Sequence, residues 1–202
     1  MRYFVTAIDT DSGKTLVSAI LCEALQADYW KPVQAGLPKD SDTVRQLISE
    51  HLTVHPETFL LKTPASPHAS AKLDGVTLNL ADFKVPDTSN SLIAEGAGGC
   101  LVPLNDNDFV IDLIRHLNIP AIVVCDLYLG SINHSLLTLE ALKRRSIPVK
   151  GIIFNGISNP ESERIILKHA QTPCLLKIDR ESAVTRDTVK KYAARLKEIW
   201  ND

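Results

Sequence analysis

The sequence has no run close to the roughly 20 consecutive apolar residues of a membrane-spanning helix. Residues 1–6 carry no signal-peptide pattern and pass straight into an apolar strand-like segment. An excess of one charge is also missing. Lys and Arg number 22 against 24 Asp and Glu, for a net charge of -2. That balance offers no positive surface for nucleic acid or an anionic membrane. Cysteine is sparse and scattered. Cys22, Cys100, Cys125 and Cys174 fall in no metal-ligand spacing and read as reduced, apolar side chains. There is no internal repeat and no low-complexity segment. These absences predict a cytoplasmic protein without nucleic-acid or membrane partners. The 202 residues, 45% of them hydrophobic, suit one compact domain over 1–202.

What is present is organised around Ala7-Ile8-Asp9-Thr10-Asp11-Ser12-Gly13-Lys14-Thr15. An apolar run, Tyr3-Phe4-Val5, precedes it, and a helix-like run follows from Leu16. A strand, a tight loop ending in Gly-Lys-Thr and a helix together bind a triphosphate. Backbone N–H groups of the loop wrap the phosphate oxygens, and the helix N-terminus adds partial positive charge. Lys14 adds a full charge, and the Thr15 hydroxyl offers magnesium a ligand. The spacing is imperfect: Ile8 stands where the usual pattern has Gly, with Ala7 one position earlier. The place of the tripeptide between strand and helix carries the reading.

Periodicity and turn residues predict strands over 2–8, 29–33, 91–95, 120–125, 149–154 and 174–178. Helices are expected over 14–27, 42–51, 69–74, 109–117, 134–145, 161–170 and 184–200. Segment 76–90 has a poor pattern and reads mostly as loop. Ala121-Ile122-Val123-Val124-Cys125 and Ile152-Ile153-Phe154 are continuous apolar runs, as in parallel strands covered on both faces. The fold class is therefore α/β: a three-layer, mostly parallel central sheet flanked by helices, like a phosphate-loop NTPase. The last helix is amphipathic, with Val189, Tyr192 and Leu196 on its apolar face, and is expected to dock on the sheet rather than on a membrane.

In such a sheet ligands collect beyond the carboxyl ends of the strands. The suspicious residues all lie there: 10–15, Lys31, Glu95 with Gly96, Gly98 and Gly99, the 126–133 loop and Asn155. Magnesium takes hard oxygen ligands. Glu95 is one candidate and Asp42 another, although Asp42 also reads as an ordinary acid at a helix start. A carboxylate closing an apolar strand is costly unless it meets a cation or good donors. Lys31, before Pro32 at a strand end, points into the same crevice as Lys14. Two lysines and a magnesium ion suit a reaction that brings a second anion to the γ-phosphate. Among the histidines, His68 and His134 fall near the crevice. His134 reads as fixing the loop or starting a helix.

This ordered set resembles dethiobiotin synthetase over nearly the whole chain. Its carriers are the phosphate loop, Lys31-Pro32-Val33-Gln34-Ala35-Gly36, Ser41-Asp42 and Ser66-Pro67-His68. Further on come Glu95-Gly96-Ala97-Gly98-Gly99, Leu129-Gly130-Ser131-Ile132-Asn133-His134 and Asn155. The resemblance implies a ligase of biotin biosynthesis that joins CO2 to 7,8-diaminononanoate and closes a ureido ring at the expense of ATP. It implies Lys14 and Lys31 as catalytic residues and Thr15, Asp42 and Glu95 as magnesium ligands. ATP contacts would come from Asp11, Ser12, Gly13, Lys14, Thr15, Leu16, Asp42, Glu95, Gly96, Ala97, Gly98, Asn155 and Gly156. The substrate would meet Thr10, Lys31, Ala35, Gly130, Ser131, Ile132 and Asn133, the last four from the neighbouring subunit of a homodimer.

Some positions depart from the family pattern. Ala7 replaces a Gly, Asp11 a common Glu, and Ala35 a frequent Ser. Tyr128 stands where a charged residue is frequent, and Lys177-Ile178-Asp179-Arg180 replaces a Gly-x-Ile-Pro-like turn near the base. The segment before Glu95 is also short for the family. None of these removes a magnesium ligand or either lysine. The rival reading is a regulatory ATPase of the partitioning and septum-positioning type. Such proteins usually carry a second lysine at the start of the loop, where this chain has Ala7-Ile8-Asp9. A third is a silent nucleotide-binding relative.

Overall fold

In the computed structural model, which describes residues 1–200, the continuous apolar runs form inner strands of one parallel sheet. The last two residues of the expected 1–202 domain lie outside the described residues. The sheet contains β1 (Arg2–Ala7), β2 (Ala27–Trp30), β5 (Ser91–Gly99), β6 (Ala121–Asp126), β7 (Val149–Asn155) and β8 (Cys174–Ile178). Their spatial order is β2-β5-β1-β6-β7-β8, with every pairing parallel. Two short strands, β3 (Val33–Ala35) and β4 (Phe59–Leu61), form a separate parallel ribbon.

Side chains alternate between two apolar layers. Val5, Ile93, Ile122 and Ile153 face one; there they meet Val17 and Ile20 of α1 (Lys14–Leu25), Val44 of α2 (Asp40–Leu47) and Val189, Tyr192 and Leu196 of α7 (Arg186–Ile199). Phe4, Ala94, Val123 and Phe154 face the other. That layer takes Ala71 of α3 (Pro67–Asp74), Ile114 of α4 (Val110–Leu117), Leu142 of α5 (Ser131–Arg144) and Ile166 of α6 (Pro160–Ala170). Burial of apolar surface on both sheet faces is the main source of stability in such an arrangement. The four cysteines are free, three of them buried. Among the described residues no helix is long and apolar enough to cross a membrane.

The structure moves several expected boundaries, and the moves shape the site. The expected strand 29–33 is split. Pro32 has no N–H to donate, so pairing with β5 ends at Trp30 and a new ribbon begins at Val33. Lys31 sits in the break. Strand β5 runs beyond Glu95 to Gly99, and a register shift against β1 between Val5 and Ala7 is taken up alongside its glycines. Helix α2 starts at Asp40 rather than at 42. Helix α5 starts at Ser131 rather than at 134, after Gly130 in a left-handed conformation (φ 107°). Segment 76–90 carries only one turn of 3-10 helix, Leu80–Asp82.

Candidate active site

The loop between β1 and α1 closes on itself through its lysine. Lys14 Nζ donates to the carbonyl oxygens of Asp9 (3.0 Å) and Thr10 (2.8 Å), and the Ser12 hydroxyl donates to the Asp9 carbonyl. Gly13 has φ 92°, a conformation open to glycine. A Cβ there would lie 2.3 Å from Asn155 Nδ2, which donates to the Ser12 carbonyl (2.9 Å). Asn155, at the end of β7, thus braces the loop from behind. Val17 N–H binds the Gly13 carbonyl, so the helix begins at once.

Beside the loop, Lys31 is almost wholly buried and holds three acceptors. Its Nζ lies 2.6 Å from Asp40 Oδ2, 2.8 Å from Glu95 Oε1 and 2.9 Å from the Gly96 carbonyl. Glu95 Oε1 also accepts from the Thr15 hydroxyl (3.1 Å), and Oε2 accepts from the hydroxyl of buried Tyr29 (2.9 Å). Gln34 accepts the Asp40 N–H on Oε1 and donates to the Gly36 carbonyl. It thereby sets where α2 starts. These groups open into a cleft of about 630 Å³ with Val33, Ala35, Pro64, Ala65 and Val102 among its apolar lining. Gly98 turns the chain beneath it with φ 67°, where a Cβ would meet Val102 Cγ2 at 2.7 Å.

The electrostatics divide the two lysines. Burial, reinforced by the charge of Lys31, lowers the Lys14 pKa to about 8 against the pull of Glu95. Burial alone would lower Lys31 too, but the charges and hydrogen bonds of Glu95 and Asp40 outweigh it and hold Lys31 above its ordinary value. Tyr29 is pushed well above the usual phenol range by burial and by the Glu95 charge, so it stays a donor.

The structure brings together most of the expected site residues. Thr10, Asp11, Gly13, Lys14, Thr15, Lys31, Ala35, Glu95, Ala97 and Gly98 line the cleft. Ser12 lies buried behind the loop, and Leu16 packs on the core. Gly156 lies beyond Asn155, its N–H bound to the Ile178 carbonyl. Asp42 sits apart from this lining. It is half exposed, pairs with Arg45 at 2.9 Å and Lys39 at 3.7 Å, and does not line the cleft. Asp40 stands there instead. Two positions apart on one helix, the two acids point in different directions. Gly130, Ser131, Ile132 and Asn133 form the first turn of α5 outside this cleft, so within one chain they do not meet it. His134 Nδ1 binds the Tyr128 hydroxyl. Tyr29, which holds the Glu95 carboxylate, and Gln34, which holds the Asp40 backbone, were not singled out in the sequence, since neither residue type announces such a partner.

The donor set fits magnesium. Thr15, Glu95 and Asp40 offer a hydroxyl and two carboxylates, all hard oxygens, and two of these oxygens already converge on one ammonium. Phosphate and water would complete the shell.

The comparisons follow this geometry. A family model described as an AAA domain matches residues 1–188. The ATP-dependent dethiobiotin synthetase BioD of Cytophaga hutchinsonii is 58% identical over 202 residues, covering 98% of each chain. The enzyme of the same name from Christiangramia forsetii is 45% identical, covering 97% of this chain and 96% of that one. The chain belongs to the dethiobiotin synthetase family. Solved structures show a likeness of fold. A ParA family ATPase from Chlorobium tepidum superposes with a TM-score of 0.54 at 15% identity, covering 96% of this chain and 97% of that one. The septum site-determining protein MinD from Pyrococcus horikoshii, solved with Mg-ADP, also gives 0.54 at 15%, with 98% and 90% covered. The regulatory-ATPase reading is therefore not favoured for this family member: the likeness to those proteins is one of fold.

Proposed function

We propose that the protein uses ATP and magnesium to carboxylate 7,8-diaminononanoate with CO2 and close the ureido ring of dethiobiotin, releasing ADP and phosphate. One observation carries the assignment of roles: Lys14, Thr15, Lys31, Asp40 and Glu95, from four separated segments, face one cleft. The 7-amino nitrogen adds to CO2 and gives up a proton, forming a carbamate. A carbamate oxygen then attacks the γ-phosphorus and ADP leaves. The 8-amino nitrogen attacks the carbonyl carbon of this mixed anhydride and gives up a proton, and phosphate leaves as the ring closes.

The protein positions two anions and offsets the charge between them. Lys14 would hold the β- and γ-phosphates, exchanging its two loop carbonyls for phosphate oxygens. Lys31 would bridge carbamate and γ-phosphate. Thr15, Glu95 and Asp40 would hold magnesium, which supplies charge neutralisation of the phosphates when bound. The apolar lining from Val33, Ala35 and Val102 suits an alkyl chain. Asn155, at the end of β7, and Gly156 just beyond it would meet the base.

The start of α5 and the loop before it, with exposed Leu129, Ile132 and Leu137, support a homodimer in which this segment reaches a neighbouring cleft. Four free cysteines accord with a cytoplasmic location. One sheet shared by both apolar layers supports treating 1–202 as one domain. The test is product formation followed by mass spectrometry together with phosphate release. Release should require both the diamine and bicarbonate. Hydrolysis stimulated instead by DNA or lipid would point to a switch protein, and none at all to a silent relative.

A further inference from the structure

We infer that Tyr29 is a positioning residue for the metal-side carboxylate: its hydroxyl holds Oε2 of Glu95 and so keeps Oε1 turned to the cleft. The inference rests on the reading of Glu95 as a magnesium ligand. The sheet itself creates the contact. Tyr29 on β2 stands in register with Ile93 on β5, two residues before Glu95 and therefore on the same face. The phenol spans the remaining step and donates at 2.9 Å.

The two oxygens of Glu95 thus have separate tasks. Oε1 meets Thr15 and Lys31 at the cleft, and Oε2 meets Tyr29 in the core. The last torsion of a glutamate is broad and roughly two-fold, so a staggered side chain does not fix the plane of its carboxylate. A hydrogen bond from a fully buried ring does. Phe would fill the same space, so packing does not account for the hydroxyl. A buried hydroxyl is costly unless it finds a partner, and here the partner is the acid. Tyr29 does not line the cleft and would touch neither phosphate nor diamine.

The experiment compares Tyr29→Phe, Glu95→Gln and Ile93→Val with the parent enzyme. Magnesium is titrated calorimetrically into each protein saturated with ADP, and kcat and KM are measured alongside. Tyr29→Phe should raise the half-saturating magnesium concentration about tenfold, the usual effect of losing a partner behind a metal ligand. It should lower kcat while leaving the KM for the diamine in place, and ADP binding in EDTA should not move. Glu95→Gln should raise the magnesium midpoint further. Ile93→Val trims the same apolar face and should lower Tm without moving that midpoint. A Tyr29→Phe enzyme with the parental midpoint, beside a shifted Glu95→Gln, would overturn the inference and leave the metal reading standing. An unshifted Glu95→Gln would overturn both. A shift in Ile93→Val as large as that in Tyr29→Phe would reduce Tyr29 to a packing role and also overturn it.

Discussion

Two buried glutamates in this molecule each meet a lysine, and they do different things. Glu163, in α6, accepts from the Ser158 hydroxyl and the Asn159 N–H and pairs with Lys177 at 2.5 Å. Lys177 is more than half exposed on edge strand β8. Its ammonium keeps its water, and burial of Glu163 is offset by Lys177 and Ser158, which hold its pKa below the ordinary range. Glu95 instead meets a lysine that is itself buried and shared with a second acid. A buried carboxylate alone marks a fold. A buried carboxylate whose cation is also stripped of water, beside an open cleft, marks a place where charge is to be exchanged.

This contrast breaks most sharply at the two lysines. Lys31→Ala should lower kcat about 100- to 1000-fold, the scale of removing one preorganised charge from a transition state. It should also destabilise the fold by about 3–5 kcal/mol, because Glu95 loses its buried cation. Lys177→Ala should leave kcat unchanged and cost about 1 kcal/mol or less, as exposed pairs do. Steady-state kinetics and urea unfolding of both variants would test the pairing, and a kinetic loss in Lys177→Ala would erase the distinction.

A second contrast sets Asp40 against Asp42. Asp40→Ala should raise the half-saturating magnesium concentration by about tenfold or more, whereas Asp42→Ala, a surface change, should leave it in place. The reverse result would assign the metal to Asp42.

The smaller effects are in pH. Lys14, with a pKa of about 8 before nucleotide binds, loses its charge as pH rises past that value. Affinity for ATP should therefore weaken above pH 8, and Lys14→Arg should remove that limb, read by nucleotide titration at several pH values. The folded state binds fewer protons at Lys14 than the unfolded state between about pH 8 and the ordinary 10.5, so this residue adds stability as pH rises there. Glu163 has the opposite window. Its depressed pKa gives stability that is full above the ordinary 4.5 and is lost as pH falls through the lower folded value. The Tm difference between the parent and Glu163→Gln should shrink accordingly on acidification.

Much of this was legible in the residues. The continuous apolar runs gave the inner strands, and Gly-Lys-Thr after β1 placed the phosphate loop, because local pattern and local structure coincide there. The place of Asp40 in the cleft was not foreseen, for a physical reason. The start of α2 is set by a hydrogen bond from its backbone to Gln34, six residues earlier, and no capping rule at Lys39 or Ser41 foretells it. Tyr29 was not singled out because its contact depends on register between β2 and β5, far apart in sequence, which only the folded sheet aligns. That Lys31 faces the crevice was read from the sequence; that the strand would break at Pro32 and that Asp40 would join Glu95 around the ammonium was not.

Gly13 bears on more than its own loop. With no side chain there, the end of β7 leans directly on the curve that receives phosphate, and one amide links them. Alanine at this position would be penalised twice, by its backbone geometry and by collision with Asn155. The phosphate loop and the end of β7 are therefore one coupled piece. They cannot be altered separately, and a change made on either side is felt on the other.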